Sequence, residues 1–173
     1  MLEKRLLARF GRQPDTARAS LRRELEVFRA LPTRLAEVWL VPRAPGTWSP
    51  AEVSEHVLKV NVALSKTLHL LRRDEPPPEG PRTPGVLKDG RAQAPIFSHP
   101  GAPAPWAELE PAWLEMERRL LAEVAQTSRW YERTRFHPYF GDLNALEWVQ
   151  AGALHMAHHR RQLELSGREA EQQ

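Results

Sequence analysis

The sequence of 173 residues contains no cysteine. Disulfide bonds and cysteine-based zinc sites are therefore excluded, and any metal site must use histidine, aspartate or glutamate side chains. The chain also has no window approaching the roughly 18 consecutive apolar residues of a membrane-spanning helix. Its N-terminal segment lacks the apolar run and cleavage site of a signal peptide. We therefore expect a cytoplasmic protein with no membrane partner.

An excess of one charge sign is also missing. The chain has 25 basic and 22 acidic residues, for a formal net charge of +3. Its most basic stretch, residues 18–23, is followed at once by Glu24 and Glu26. Such mixing is typical of solvated helix faces rather than of a phosphate-binding stripe, so we expect no nucleic-acid partner.

Apolar residues recur at helical spacing in four segments, whereas strand signals are nearly absent. The pattern predicts helices over residues 16–40, 50–73, 106–131 and 144–166. The second helix has a well-marked start, because Ser49 and Glu52 have the spacing of a capping box around Pro50. Asn144 and Glu147 repeat that spacing at the start of the fourth helix. We interpret residues 1–173 as a single all-α domain, a four-helix bundle.

Proline and glycine indicate where these helices are interrupted. Pro32 predicts a kink or short break in the first helix, and Gly167 predicts the end of the fourth. Residues 74–105 are rich in both residue types and exceed the usual loop length. We predict a crossover without regular structure here, and such a crossover lets the second and third helices run in the same direction.

Two histidines in the fourth helix are candidates for metal ligands. His155 and His159 are four residues apart, so both rings project from one helix face. That face continues the stripe of Trp148 and Gly152, and a buried imidazole is costly unless it has a partner. Gly152 predicts open space beside the rings, which a metal with an open coordination position needs. An ordinary pair of core histidines remains the alternative.

His56, at the edge of the apolar stripe of the second helix, is the third candidate. It supplies a third nitrogen if the second and fourth helices are neighbours, although a hydrogen-bonded or half-exposed histidine is the simpler interpretation of this residue alone. The remaining histidines have no evident partners. We expect His158 to face solvent, His69 to lie on a helix surface and His99 to lie in a loop. His137 comes just before the fourth helix, and we expect it to come no closer than the opening of the metal site.

Three motifs together resemble the DinB-like superfamily. They are Trp-Ser-Pro-Ala-Glu-Val-Ser-Glu-His at residues 48–56, His-Pro-Tyr-Phe-Gly-Asp-Leu at 137–143, and the pattern His155-x3-His159-Arg-x-Gln162. That superfamily includes the DNA-damage-inducible DinB proteins and the bacillithiol and mycothiol S-transferases. The resemblance covers about residues 16–166.

The resemblance implies a particular bundle and a particular site. The expected fold is an up-up-down-down four-helix bundle, often a homodimer, with a role in the stress response. His56, His155 and His159 fall on the positions that bind zinc, nickel or another divalent ion in the superfamily. The catalytic residues and the substrate are not implied.

Three functions follow from such a site. The first is a metal-dependent transferase that activates a low-molecular-weight thiol against a small-molecule electrophile, with Arg160 or Arg161 as candidates to hold carboxylates of the thiol. The second is a metal-dependent hydrolase, which is less favoured because no carboxylate general base adjoins His155 or His159. Met156 also stands where an HExxH protease has its glutamate. The third is a non-catalytic metal-binding or interaction bundle.

Overall fold

The computed structural model describes residues 1–75, 79–88 and 90–170. Within these residues the main elements are four helices, α1 (Pro14–Arg34), α2 (Pro50–Arg72), α3 (Trp106–Gln126) and α4 (Ala145–Ala170). Short 3-10 turns lie at Lys4–Phe10, Ala36–Val38 and Ile96–Ser98. Two antiparallel hairpins pair β1 (Leu87–Lys88) with β2 (Arg91–Ala92) and β3 (Thr134–His137) with β4 (Gly141–Asn144). The mostly helical, four-helix architecture confirms the predicted fold class.

Both predicted capping boxes are present. The Glu52 N–H donates to Ser49 Oγ over 3.3 Å, and the Ser49 N–H donates to Glu52 Oε2 over 2.8 Å. Asn144 and Glu147 exchange the same two hydrogen bonds, each 2.9 Å long. These bonds satisfy N–H groups that the first helical turn leaves free, and they define the starts of α2 and α4.

Helix ends differ from the prediction at three points. Helix α1 continues through Pro32 but ends at Arg34, where a 3-10 turn replaces the predicted helix up to residue 40. Pro32 clashes with the carbonyl four residues before it and removes one backbone hydrogen bond, and the helix ends within one turn after it. Helix α3 ends at Gln126 instead of residue 131. Helix α4 passes Gly167, since one helical glycine costs only about 1 kcal/mol.

The sequence predicted almost no strands, and this prediction is wrong for two short segments of the chain. The motif at residues 137–143 lies in the β3–β4 hairpin, in which His137 pairs with Gly141. Gly141 has φ +74°, a conformation that L side chains rarely adopt. The connection over 74–105 is likewise not wholly irregular, because it contains β1, β2 and a 3-10 turn. Residues 76–78 and 89 of that connection lie outside the described residues.

The core lies between the four helices and uses the predicted stripes. Phe28 of α1 stacks on the fully buried Trp113 of α3, with ring centroids 5.7 Å apart. The side chains that surround this pair are aliphatic and buried, and they include Leu21, Leu25, Leu31, Val57, Leu64, Leu68, Leu71, Met116, Leu120, Val124, Val149 and Met156. No helix in the described part of the chain is long and apolar enough to cross a membrane.

The order of helix directions is up-down-down-up, so the expected up-up-down-down order is wrong. The Ala51 N–H donates to the carbonyl of Trp39, which follows α1 closely, and α2 therefore starts where α1 ends. The Trp39 indole also donates to the carbonyl of Ala104, just before α3. The physical reason is that the connection over residues 35–49 folds back to Trp39, close to the end of α1, and does not run along the bundle.

Contacts at the opposite end support the same order. Arg129, just after α3, pairs with Asp74, just after α2, over 2.9 Å. Helices α2 and α3 are thus parallel, as the long crossover suggested. Helix α4 runs parallel to α1, since Gln150 donates to the carbonyl of Gly11 and Arg160 pairs with Glu24. This order places α4 antiparallel to α2, side by side.

Candidate metal centre

Helix α2 presents His56 two turns after its capped start. The ring is 3% exposed, and its Nδ1 donates to the backbone carbonyl of Ser98 over 2.9 Å. The indole of Trp48 packs against it, with ring centroids 5.0 Å apart. The capping box thus fixes where α2 begins and so the position of His56. The connection before α3 orients the His56 imidazole through the carbonyl of Ser98.

The structure brings all three predicted residues together. The Nε2 atom of His155 lies 3.1 Å from Nε2 of His56 and 3.2 Å from Nε2 of His159. The three possible ligand atoms lie within 4.8 Å of one another, and the rings of His155 and His159 are partly buried. Together, His56, His155 and His159 form the three-histidine cluster, which lies between α2 and α4.

The number of protons in this cluster is the decisive feature. A carbonyl oxygen only accepts, so His56 carries its proton on Nδ1 and points a lone pair from Nε2. His159 does the same, because its Nδ1 donates to Oε1 of Gln162 over 2.8 Å. Two lone pairs therefore face His155 Nε2, which has at most one proton to give. His155 Nδ1 is buried and has no hydrogen-bond partner among the described residues.

Burial keeps the three rings neutral. Removal from water lowers the pKa of His155 well below its usual value, and the neighbouring His159 and His56 lower it further. Burial lowers the pKa of His159 to about 3 and also lowers that of His56, against the hydrogen bond to Ser98. At neutral pH the three imidazole rings are therefore uncharged.

A divalent ion fits this donor set. Neutral imidazole nitrogens are ligands that zinc and similar ions prefer. Two neighbouring nitrogens bound to one ion at about 2.0–2.1 Å lie about 2.8–3.4 Å apart in tetrahedral or octahedral geometry. The separations of 3.1 and 3.2 Å around His155 fall in this range. The ligand atoms span up to 4.8 Å, so the nitrogens of His56 and His159 must approach each other for all three to hold one ion. An ion between the rings would also pair the lone pairs that face one another.

The predicted open space beside Gly152 is absent. A Cβ atom at this position would lie 2.4 Å from Cδ2 of Leu64 and 3.5 Å from Cδ1 of Leu21. Gly152 therefore lets the leucines of α1 and α2 approach the backbone of α4 closely. Its role is in helix packing, and the prediction that it leaves room at the metal is wrong.

Several other sequence predictions concern residues outside the cluster. His158 and His69 are exposed, as predicted, and His99 lies in the connection after the 3-10 turn. His137, in the β3–β4 hairpin, packs on Trp148 of α4 and is not part of the cluster. Arg160 is engaged by the carboxylates of Glu24 and Glu164, so its proposed role in holding a thiol finds no support.

Sequence reasoning missed the groups that orient the ligands. Ser98 acts through its backbone carbonyl, which leaves no trace in the residue type. Trp48 and Gln162 lie in two of the family motifs, but the sequence pattern alone indicates no role for them. Their spacing from the ligands was the one available signal: Gln162 is three residues after His159, close enough on a helix to reach its ring.

The fold and the cluster together define the class: a four-helix bundle with a three-histidine group that could hold a metal ion. Residues 16–163 match the sequence model of the DinB superfamily, and the chain belongs to this superfamily. It is also similar to the crystal structure of TT2238, described as a four-helix bundle protein. That similarity has a TM-score of 0.59 and 27% identity and covers 86% of this chain and 98% of the other. No curated protein matches the chain.

Proposed function

We propose that this DinB superfamily member binds one divalent ion through His56, His155 and His159 and transfers a low-molecular-weight thiol to an electrophilic small molecule. The observation that carries the metal centre is the convergence of three Nε2 atoms that share at most one proton. The transferase activity is the finer part of the proposal and rests on the chemistry of such a site.

The protein's own residues supply orientation and a dry environment. The Ser98 carbonyl and the Gln162 side chain hold the Nδ1 protons of His56 and His159, so that both Nε2 atoms present lone pairs. Trp48 covers one side of the His56 ring. The chemistry that a bound divalent ion would supply is Lewis acidity, which lowers the pKa of a thiol in contact with it.

The arrangement of carboxylates favours thiol transfer over hydrolysis. Among the described residues, none of the three rings hydrogen-bonds to a carboxylate. Glu52 is engaged by Ser49 in the capping box, and Glu55 accepts the Gly101 N–H and pairs with Lys59. A bound ion lowers the pKa of both water and a thiol, but a thiol starts at about 8.5 and water at about 15.7, so without a carboxylate base the thiol loses its proton more readily.

A non-catalytic metal-binding bundle is the second candidate. The packing of Leu64 against Gly152 fills the space next to the cluster on the α4 side. If this packing closes every approach to the ion, the site has a structural role only. Accessibility of the ion to a small thiol separates the two candidates.

Elemental analysis of tag-free protein tests the metal centre. We expect about one divalent ion per chain in the wild type and loss of that ion in His56→Ala and His159→Ala. His158→Ala is the matched control, because His158 is an exposed histidine next to His159. Folded wild-type protein that takes up no added zinc or nickel would overturn the proposal.

A screen of low-molecular-weight thiols against a model electrophile tests the transferase. Metal-loaded wild type should accelerate thioether formation, and His159→Ala should not. A cobalt-substituted protein whose spectrum is unchanged by added thiol, together with no acceleration, would favour the non-catalytic candidate.

A further inference from the structure

The segment of residues 98–101 crosses the first turns of α2 and is attached there by three successive contacts. His56 donates to the carbonyl of Ser98. Lys59 Nζ donates to the carbonyl of His99 over 2.7 Å, and Glu55 Oε2 accepts the Gly101 N–H over 2.9 Å. One predicted metal ligand thus lies between two charged side chains that bind the same short segment.

The two charged side chains also bind each other. Lys59 Nζ lies 2.8 Å from Glu55 Oε1, and the two residues are one helical turn apart on α2. Their side chains are 33% and 27% exposed, so the pair is shielded in part from water. A pair of this kind loses less to solvent screening than a fully exposed one, and each partner keeps one further bond to the segment.

The upstream side of the segment is held by its own turn. The N–H and the hydroxyl of Ser98 both donate to the carbonyl of Pro95, over 2.9 and 2.8 Å. The His99 N–H also donates to the carbonyl of Ile96 over 3.1 Å, so the turn holds the chain through the Ser98–His99 peptide. These bonds lie within the turn and do not attach it to α2. The contacts of Lys59 with the His99 carbonyl and of Glu55 with the Gly101 N–H provide that attachment.

We propose that Glu55 and Lys59 are positioning residues of the three-histidine centre: by attaching residues 98–101 to α2, they keep the Ser98 carbonyl at His56 Nδ1 and so reserve His56 Nε2 for the metal. This inference rests on the metal centre proposed above. Neither residue touches the ion. If the segment loosens, the Nδ1 proton of His56 loses its acceptor, and the ring can place its proton on Nε2 instead.

The test compares a variant pair with a matched control pair. Glu55→Ala combined with Lys59→Met removes both attachments while leaving every ligand in place. The control, Glu115→Ala with Arg119→Met, removes an ion pair of the same four-residue spacing on α3 that does not touch the segment. Glu55→Gln is the conservative variant, because its amide oxygen can still accept the Gly101 N–H.

Two measurements are made on each protein. Zinc affinity, measured by competition with a chromophoric chelator, should fall about tenfold in the Glu55/Lys59 variant, within the range for outer groups that orient a ligand. It should be unchanged in the control and largely retained in Glu55→Gln. Nitrogen-15 chemical shifts of the metal-free protein report the tautomer, and His56 should carry its proton on Nδ1 in the wild type but not uniformly in the double variant.

The outcomes separate this inference from the metal centre itself. Wild-type affinity and an unchanged His56 tautomer in the Glu55/Lys59 variant would overturn the positioning role and leave the metal centre standing. Weaker binding with an unchanged tautomer would also overturn it, because the route through Ser98 would be wrong. A wild type that binds no zinc would refute the metal centre, and the tautomer of the metal-free proteins would then decide whether Glu55 and Lys59 orient His56.

Discussion

The two polar clusters packed on α4 differ in how their charges and protons are balanced. Toward α1, the carboxylate of Glu24 is 2% exposed and lies 2.9 Å from the guanidinium of Arg160, which also pairs with Glu164. Positive and negative groups are both present there. Toward α2, His56, His155 and His159 bring three groups of the same kind together. The first cluster pairs opposite charges, whereas the second consists of three rings whose facing nitrogens share at most one proton.

The contrast arises between neighbouring residues of one helix. His159 and Arg160 are consecutive, and about 100° of helix rotation sends one side chain toward α2 and the other toward α1. A self-sufficient cluster such as Glu24–Arg160 holds two helices in register. A cluster with surplus lone pairs needs a further partner, which a water molecule or a metal ion could provide.

The largest effect is expected on the Glu24–Arg160 cluster. Arg160→Met leaves the buried Glu24 carboxylate without its main partner, so we expect the free energy of unfolding to fall by about 2–4 kcal/mol in a urea titration. Zinc affinity should change far less than in His159→Ala. A double variant, Glu24→Leu with Arg160→Met, should recover much of the loss, since it removes the unpaired charge. Equal stability of wild type and Arg160→Met would show that the pair is not a structural element.

The pH dependence of stability at His137 tests the effect of burial on a histidine outside the three-histidine cluster. This partly buried histidine lies outside both clusters, and burial lowers its pKa to about 4 from an unfolded value near 6.5. As pH falls below 6.5 the unfolded chain takes up the proton first, so stability is lost progressively down to pH 4. In His137→Phe, measured with chelator present, the loss between pH 7 and 4.5 should be about 2 kcal/mol smaller. Identical pH profiles would contradict this burial effect.

The smallest effect on stability is expected in the three-histidine cluster. His155→Leu removes a ring whose buried Nδ1 has no partner among the described residues, but it also removes the one proton that His155 Nε2 can give to His56 or His159. Because these two contributions oppose each other, calorimetry of the metal-free protein should show a change of less than about 1 kcal/mol, while zinc no longer binds stoichiometrically. A marked loss of stability in the metal-free variant would mean that the cluster is a structural element like Glu24–Arg160, and the comparison would fail.

Local signals in the sequence were strong enough to predict the helices and to place His155 and His159 on one helix face. Ser49 with Glu52, and Asn144 with Glu147, define helix starts through bonds that span only three residues. His155 and His159 share a face because helix geometry requires it. Four-residue strands such as β3 and β4 carry too little alternation to be recognised, so the hairpin was missed.

Other features depend on residues that are distant in the chain. Gly152 was interpreted as open space because its neighbour, Leu64 of α2, is invisible in the local pattern. The carbonyl of Ser98 is the same group in every residue, so nothing in the sequence marks it as the acceptor of His56. The up-down-down-up order likewise depends on where the connections lead.

The sequence by itself determined the helical periodicity, the capped starts of α2 and α4, and a histidine pair on one helix face, because these follow from interactions over three or four residues. The tertiary structure decided the helix order, the approach of His56 to that pair, and the division of the polar side chains of α4 between the Glu24–Arg160 cluster and the three-histidine cluster. These features required two or more elements to meet in space, which local spacing does not encode.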